Sequence, residues 1–204
     1  RGKLNLWSEF DPEVYELTAR IKGINQEDTY KTEFGFYEVG HNGTHVLING
    51  EPVFLRGNLD CVHFPLTGYP STKLKDWERI FSIYKSYGLN HVRFHSWCPP
   101  EAAFMAANRL GIYIQAEASM WIDAWMGVNM VERGRPEMDT EGHPQGLGRG
   151  DADTDAFVVA EMNRMVKWYG NHPSFIMFCI GNELGSSDFD SMGQWIKDLK
   201  IEDP

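Results

Sequence analysis

Leu89-Asn90-His91-Val92-Arg93-Phe94-His95 (LNHVRFH, residues 89–95) alternates without a break, with His91, Arg93 and His95 on one parity and Val92 and Phe94 on the other. Successive strand residues face opposite sides of a sheet, so a strand here has one apolar face and one polar, charged face. The same asymmetry recurs outward from this stretch. In the run Val53–Asp60, Arg56, Asn58 and Asp60 oppose Leu55 and Leu59; in the run Ile112–Ala118, Gln115 and Glu117 oppose Ile112 and Ile114. A fourth run, Phe175–Glu183, is apolar until it stops on Gly181-Asn182-Glu183. Helical segments separate the four runs, the pattern of βα units around a parallel sheet. An open sheet covered by helices on both sides is apolar on both faces. A barrel has one face under helices and one inside, with polar groups at its C-terminal mouth. The parity therefore predicts an α/β fold, the first half of a (β/α)8 barrel, over residues 46–204.

The helices carry their own punctuation. Leu74, Trp77, Ile80, Phe81 and Tyr84 fall at helical spacing, with Thr72 expected to cap the start and Gly88 to supply a left-handed end. A second helix is expected to open on Pro99-Pro100-Glu101 and stop at Gly111, a third to run from about Asp153 to Tyr169, and a fourth to begin near Ser186-Ser187-Asp188. The stretch Ser119–Gly150, rich in Gly, Pro and Trp, is too long for a plain connection and reads as a functional loop. Residues 1–45 alternate as strands instead: Val14, Tyr15, Leu17, Ala19 and Ile21, then Thr32–Val39, with turns at Gly23-Ile24-Asn25 and His41-Asn42-Gly43. They read as the last strands of a β-sandwich or as an appendage packed on the βα units after residue 45.

With 42% hydrophobic and 13% aromatic residues, the 204-residue chain can bury a core. Its net charge of -10 and lack of clustered Lys and Arg exclude a phosphate-tracking surface, so no nucleic-acid partner is expected. No apolar run reaches the length of a membrane span, and the N-terminal residues lack a signal-peptide core. Cys61, Cys98 and Cys179 lie far apart and are read as buried free thiols. His63, His91 and His95 form no ligand motif, so neither a metal nor another cofactor is assigned. No G-x-G-x-x-G follows the first barrel strand, which disfavours a dinucleotide enzyme.

A carboxylate at the tip of a buried strand is costly unless something uses it, and Glu183 occupies such a tip. The alternative for Glu183 is an acid favouring the start of the following helix. The strings YGNHPSFIMFCIGNELG, GLNHVRFHSW and NGEPVFLRGNLD, with the upstream LWSEFDPEVYELTARI and FGFYEV, resemble glycoside hydrolase family 2, which includes β-galactosidases, β-glucuronidases and β-mannosidases. The resemblance runs through nearly the whole chain in the family's order. It implies that residues 1–45 are the last strands of an immunoglobulin-like β-sandwich and residues 46–204 the N-terminal half of a catalytic TIM barrel.

It also implies a retaining, exo-acting β-glycosidase for terminal β-linked sugars, working by double displacement on a carbohydrate substrate. Glu183 would be the acid/base, and Asn182 would bind the hydroxyl beside the anomeric carbon. A glycosidic oxygen must be protonated as its bond breaks, which calls for an acid kept protonated by apolar surroundings. Arg93, with Asn90, matches the family's Asn-x-x-Arg and would support the pocket's carboxylates; a structural ion pair is the alternative. His95 is read as a sugar contact or a satisfied core histidine, one residue before the position where many members carry a histidine. Asp60 stands where relatives show an Arg-His-Glu cluster and is read as a hydroxyl ligand. Glu117 is read as a hydroxyl ligand, a metal contact or a rim salt bridge. Trp97, Trp121 and Trp125 are candidate sugar platforms, Trp121 and Trp125 the stronger because of their loop. The nucleophile, from strand seven in this family, is expected in the remainder of a parent chain, leaving this segment inactive by itself. A non-catalytic carbohydrate-binding or scaffold segment is the rival reading.

Overall fold

The computed structural model describes residues 4–120, 146–149, 152–184 and 187–202. Two antiparallel strands come first, β1 (Tyr15–Lys22) and β2 (Glu27–Phe34), in register from Tyr15↔Phe34 to Lys22↔Glu27. β3 (Val39–Asn42), β4 (His45–Ile48) and β5 (Glu51–Pro52) form a three-stranded antiparallel sheet. A four-stranded sheet comes next, ordered β6 (Gly57–Asp60), β7 (His91–Phe94), β8 (Tyr113–Glu117), β9 (Phe175–Cys179). Helices α1 (Leu74–Ser86), α2 (Glu101–Leu110) and α3 (Ala152–Tyr169) connect these strands in turn, and α4 (Phe189–Glu202) follows β9. β7 and β8 are parallel. Each strand neighbours the next in sequence, the order of a singly wound barrel, whereas a doubly wound sheet reverses at a switch point.

The chain divides into two compact units: Arg1–Arg93 with Pro99–Gln115 and Tyr169–Met177, and Phe94–Cys98 with Ala116–Trp168 and Phe178–Pro204. In the first, Trp7, Ile48, Tyr113 and Ile176 form a buried cluster against Val14, Tyr37, Val53, Leu55 and Met177. Trp7 meets Tyr113 edge-on at 5.6 Å, and its indole N–H donates to the Asn108 carbonyl at 2.7 Å. Burying a tryptophan removes roughly 200 Å² from water, a gross gain of about 5 kcal/mol. This cluster explains why the expected strand Val53–Asp60 shortens to Gly57–Asp60. Val53 instead donates back to the Val46 carbonyl at 2.9 Å and packs with Leu55 against the cluster. The expected strand Thr32–Val39 is likewise broken after Phe34, since a Cβ at Gly35 would lie 2.7 Å from the Pro173 ring.

Two polar knots hold the same unit. Asn90, wholly buried, donates to the Glu9 carboxylate at 2.8 Å and accepts from the Arg56 N–H at 2.7 Å; the Arg56 guanidinium reaches the other Glu9 oxygen at 2.8 Å. Lys85 donates to the Glu9 carbonyl at 3.0 Å. In the second knot, Asn108 Oδ1 accepts from the Ser174 backbone N–H at 3.2 Å and hydroxyl at 2.7 Å, which turns its amide nitrogen toward His172 Nδ1 at 2.8 Å. An amide nitrogen only donates, so Nδ1 accepts and carries no proton. Burial accordingly pushes the His172 pKa down to about 4.

The helix ends follow the sequence except at one place. Gly88 and Gly111 take positive φ of 75° and 66° at the ends of α1 and α2, and α2 and α3 begin at Glu101 and Ala152. α1, however, starts after Lys73 without a side-chain cap, so Thr72 is not its cap; Ser71 Oγ instead donates to Asp76 at 2.5 Å within the first turn.

In the second unit, Trp97 is buried edge-on to Phe94 at 5.0 Å and serves the core, not an open sugar platform. Met162, Met165, Leu147, Val158 and Met192 are also buried. Asp188 opens α4 by accepting from the Ser191 hydroxyl at 2.6 Å and N–H at 3.3 Å. These bonds hold its carboxyl below the usual carboxylate range.

Candidate active site

The polar parity of β7 and β8 shares one face. His91 is buried beside Gln115, and burial lowers its pKa to about 4. Farther along, His95 Nδ1 lies 3.7 Å from Glu117 Oε2 and 3.0 Å from Ser96 Oγ. The opposite parity, Val92, Phe94, Ile114 and Ala116, is wholly buried. Arg93 is half-buried on the polar parity of β7. The structure thus brings His95 and Glu117 together, with Ser96 as a partner that the motif reading missed; its only sequence signal is adjacency to His95. Glu117, expected as a hydroxyl ligand, a metal contact or a rim salt bridge, lies beside His95 with its side chain 0% exposed, against 23% for His95. Its backbone N–H donates to the Trp97 carbonyl at 3.3 Å.

β6 departs from the expected parity. Asn58 donates to the Tyr84 hydroxyl on α1 at 2.7 Å, while a Cβ at Gly57 would meet the His91 ring at 2.5 Å. Gly57 and Leu59 therefore share the face of His91, and Asn58 and Asp60 face the helix. The charge of Asp60 contributes to raising the Tyr84 phenol, after burial, the larger cause. Asp60 is thus on the wrong face for a hydroxyl ligand, and its Oδ1 accepts from the Val62 N–H at 2.9 Å. Leu59, expected under helices, is 49% exposed. A one-residue shift in the inward set reverses every side chain of a strand.

The exit of β9 explains Gly181-Asn182-Glu183. The strand ends at Cys179, short of the expected Glu183. The Cys179 carbonyl accepts from Ala118 N–H, and the Met120 carbonyl accepts from Asn182 N–H, both at 2.9 Å. A side chain at 181 would collide with that same Met120 carbonyl, so only glycine fits. Asn182 is half-buried, and Glu183 comes next with φ of 55°, exposed. A non-glycine residue held in the left-handed region costs of order 1–3 kcal/mol, and such residues gather at functional sites. Asp188 supplies the side-chain oxygen at the start of α4. The apolar enclosure expected around Glu183 is not found among the described residues.

Trp121 and Trp125, with most of the expected Ser119–Gly150 loop, lie outside the described residues. Among the described residues no group of three His, Cys, Asp or Glu is placed to hold a metal, and no helix is long and apolar enough to cross a membrane.

Residues 39–203 match the family model described as glycosyl hydrolases family 2, TIM barrel domain. Beta-galactosidase 2 of Enterobacter cloacae is 27% identical over 195 residues, covering 94% of this chain and 17% of that protein. The beta-galactosidase of Aeromonas hydrophila subsp. hydrophila is 28% identical over 194 residues, with the same two shares, 94% and 17%. The chain therefore spans 17% of the length of these curated relatives. Among solved structures, the β-D-glucuronidase of Dictyoglomus thermophilum superposes with a TM-score of 0.75 at 20% identity, over 98% of this chain and 33% of that one. β-Glucuronidase 3 of Bacteroides uniformis gives 0.68 at 19%, over 96% and 23%. At such identities the structural likeness speaks for the fold. The family model spans most of the chain, and its motifs sit on the strand order of a barrel: the chain belongs to glycoside hydrolase family 2 and carries its TIM barrel domain over residues 39–203.

Proposed function

We propose that this chain supplies the acid/base half of a retaining β-glycosidase that removes terminal β-linked sugars by double displacement. The observation that carries the reading is the tip after β9, where Gly181 backs onto the Met120 carbonyl and Glu183 is held at φ of 55°. A backbone held this way sets the direction in which the side chain leaves the strand tip, which suits an acid that must meet one glycosidic oxygen. Glu183 protonates that oxygen as the bond to the anomeric carbon breaks, and later takes a proton from the water that releases the sugar. Asn182 binds the hydroxyl beside the anomeric carbon, His95 is a further sugar contact, and Arg93, by its Asn-x-x-Arg motif, is assigned to support carboxylates.

The second carboxylate, about 5–5.5 Å from the first in a retaining enzyme, lies on a later barrel strand outside these 204 residues. The same missing strands would wall in Glu183. The strands up to β2 are the last strands of an immunoglobulin-like sandwich, and the first half of the barrel follows from the start of the matched residues 39–203, ahead of the boundary expected at residue 46. A neutral sugar suits the net charge of -10 better than a uronic acid, in line with the galactosidase names of the two sequence relatives.

The test is hydrolysis of a panel of aryl β-glycosides by the full enzyme, wild type against Glu183→Gln. Loss on poor leaving groups with glycosylation kept on activated ones identifies the acid/base. A Glu183→Gln enzyme indifferent to the leaving group refutes that role, and a wild type that binds sugars but cleaves none favours a carbohydrate-binding scaffold.

A further inference from the structure

Resting on the glycosidase reading, we propose that Glu117 is a positioning residue for His95: it keeps a proton on Nδ1 and leaves Nε2 as the ring atom that meets a sugar hydroxyl. Glu117 is wholly buried, so it acts through a neighbour, and the histidine beside it is partly exposed. Among the described residues, Ser96 Oγ at 3.0 Å can accept a hydrogen bond from Nδ1, and Glu117 Oε2 lies 3.7 Å away, within ion-pair reach but beyond a hydrogen bond. A proton on Nδ1 is drawn by the carboxylate and bonded by the hydroxyl, whereas a lone pair there would face the carboxylate oxygen. The hydrogen bond made by one ring nitrogen sets what the other can do. His95 stands one residue before the position where many family members carry histidine, so the clamp belongs to the His95-Ser96 order of this chain. The Glu117 N–H on the Trp97 carbonyl ties the end of β8 to the segment that carries His95, which keeps the two backbones side by side.

The experiment reads the tautomer first. A long-range proton–nitrogen NMR spectrum of His95 in the full enzyme, without sugar, is expected to show Nδ1 protonated, and Glu117→Gln to move proton occupancy toward Nε2. Wild-type His95 with its only proton on Nε2 overturns the proposal without any variant, as does a folded Glu117→Gln enzyme with an unchanged spectrum. In the full enzyme, kcat/KM on an aryl β-glycoside is expected to fall about tenfold in Glu117→Gln and in His95→Ala, with the double variant no worse than His95→Ala. Additive losses overturn the claim that Glu117 acts through His95. Wild type with the expected tautomer but no hydrolysis overturns the glycosidase reading and the sugar contact of Nε2, and leaves the clamp.

Discussion

The carbonyl oxygen of Met120 occupies the space where a side chain on Gly181 would begin, and it also receives the N–H of Asn182. Gly181→Ala must therefore push the exit of β8 away or release the Asn182 bond, and either shift moves Glu183. A displacement of about 1 Å at a reacting group can cost on the order of 100-fold in rate. We expect Gly181→Ala to lower kcat of the full enzyme by about that factor. Gly193→Ala, in a helix with nothing within 4 Å of the new methyl, is the control and should stabilise α4 by roughly 0.5–1 kcal/mol. Thermal melts and steady-state rates of both variants check the contrast.

Asn90 and Glu9 give a second expectation, on stability. Asn90→Ala removes the donor to the buried Glu9 carboxylate and to the Phe54 carbonyl, and the acceptor for the Arg56 N–H. Leaving such groups buried without partners costs about 1–3 kcal/mol, more where a charged group is involved. We expect a loss of roughly 3 kcal/mol in urea unfolding, with most of the denaturant slope kept.

Histidines 91 and 172 make stability depend on pH. Burial lowers both to about 4 from the ordinary 6.5, so the folded chain binds fewer protons than the unfolded one between those values. Their contribution is complete above the unfolded value and is lost as pH falls through that window, levelling near pH 4. At pH 5 each costs about 2 kcal/mol relative to neutral pH. Urea unfolding of wild type at pH 7 and pH 5 should show the drop, and His172→Gln should remove about half of it.

How far the sequence revealed this molecule depends on whether the cause of a feature is local. The alternation in β7 and β8 is a local property, and it correctly paired His95 with Glu117 on one face while Val92 and Ile114 went to the other. In β6 the same reasoning failed, because Val53 and Leu55 are drawn into the Trp7 cluster and the strand proper begins only at Gly57. The Asn171-His172-Pro173-Ser174 motif named the family, yet His172 and Ser174 bind Asn108 and hold the base of the fold. Glu183 was legible as a residue, but its backbone conformation was not, since it follows a glycine seated on a carbonyl from another strand's exit.

Asp60 carries the last expectation. Its strand parity and its effect on Tyr84 put it toward α1, away from the face of His91 and Arg93. Asp60→Asn should then leave hydrolysis within about twofold of wild type, an effect of under ~0.5 kcal/mol. It should instead lower the Tyr84 phenol, because the removed charge is one of the causes that raise it. Burial, the larger cause, remains, so the phenol should still titrate above an ordinary tyrosine. Ultraviolet titration of wild type and Asp60→Asn, with Tyr84→Phe to identify the signal, reads this directly. An unmoved Tyr84 joined to a large loss of activity would put Asp60 back among the sugar ligands and reverse the parity assigned to β6.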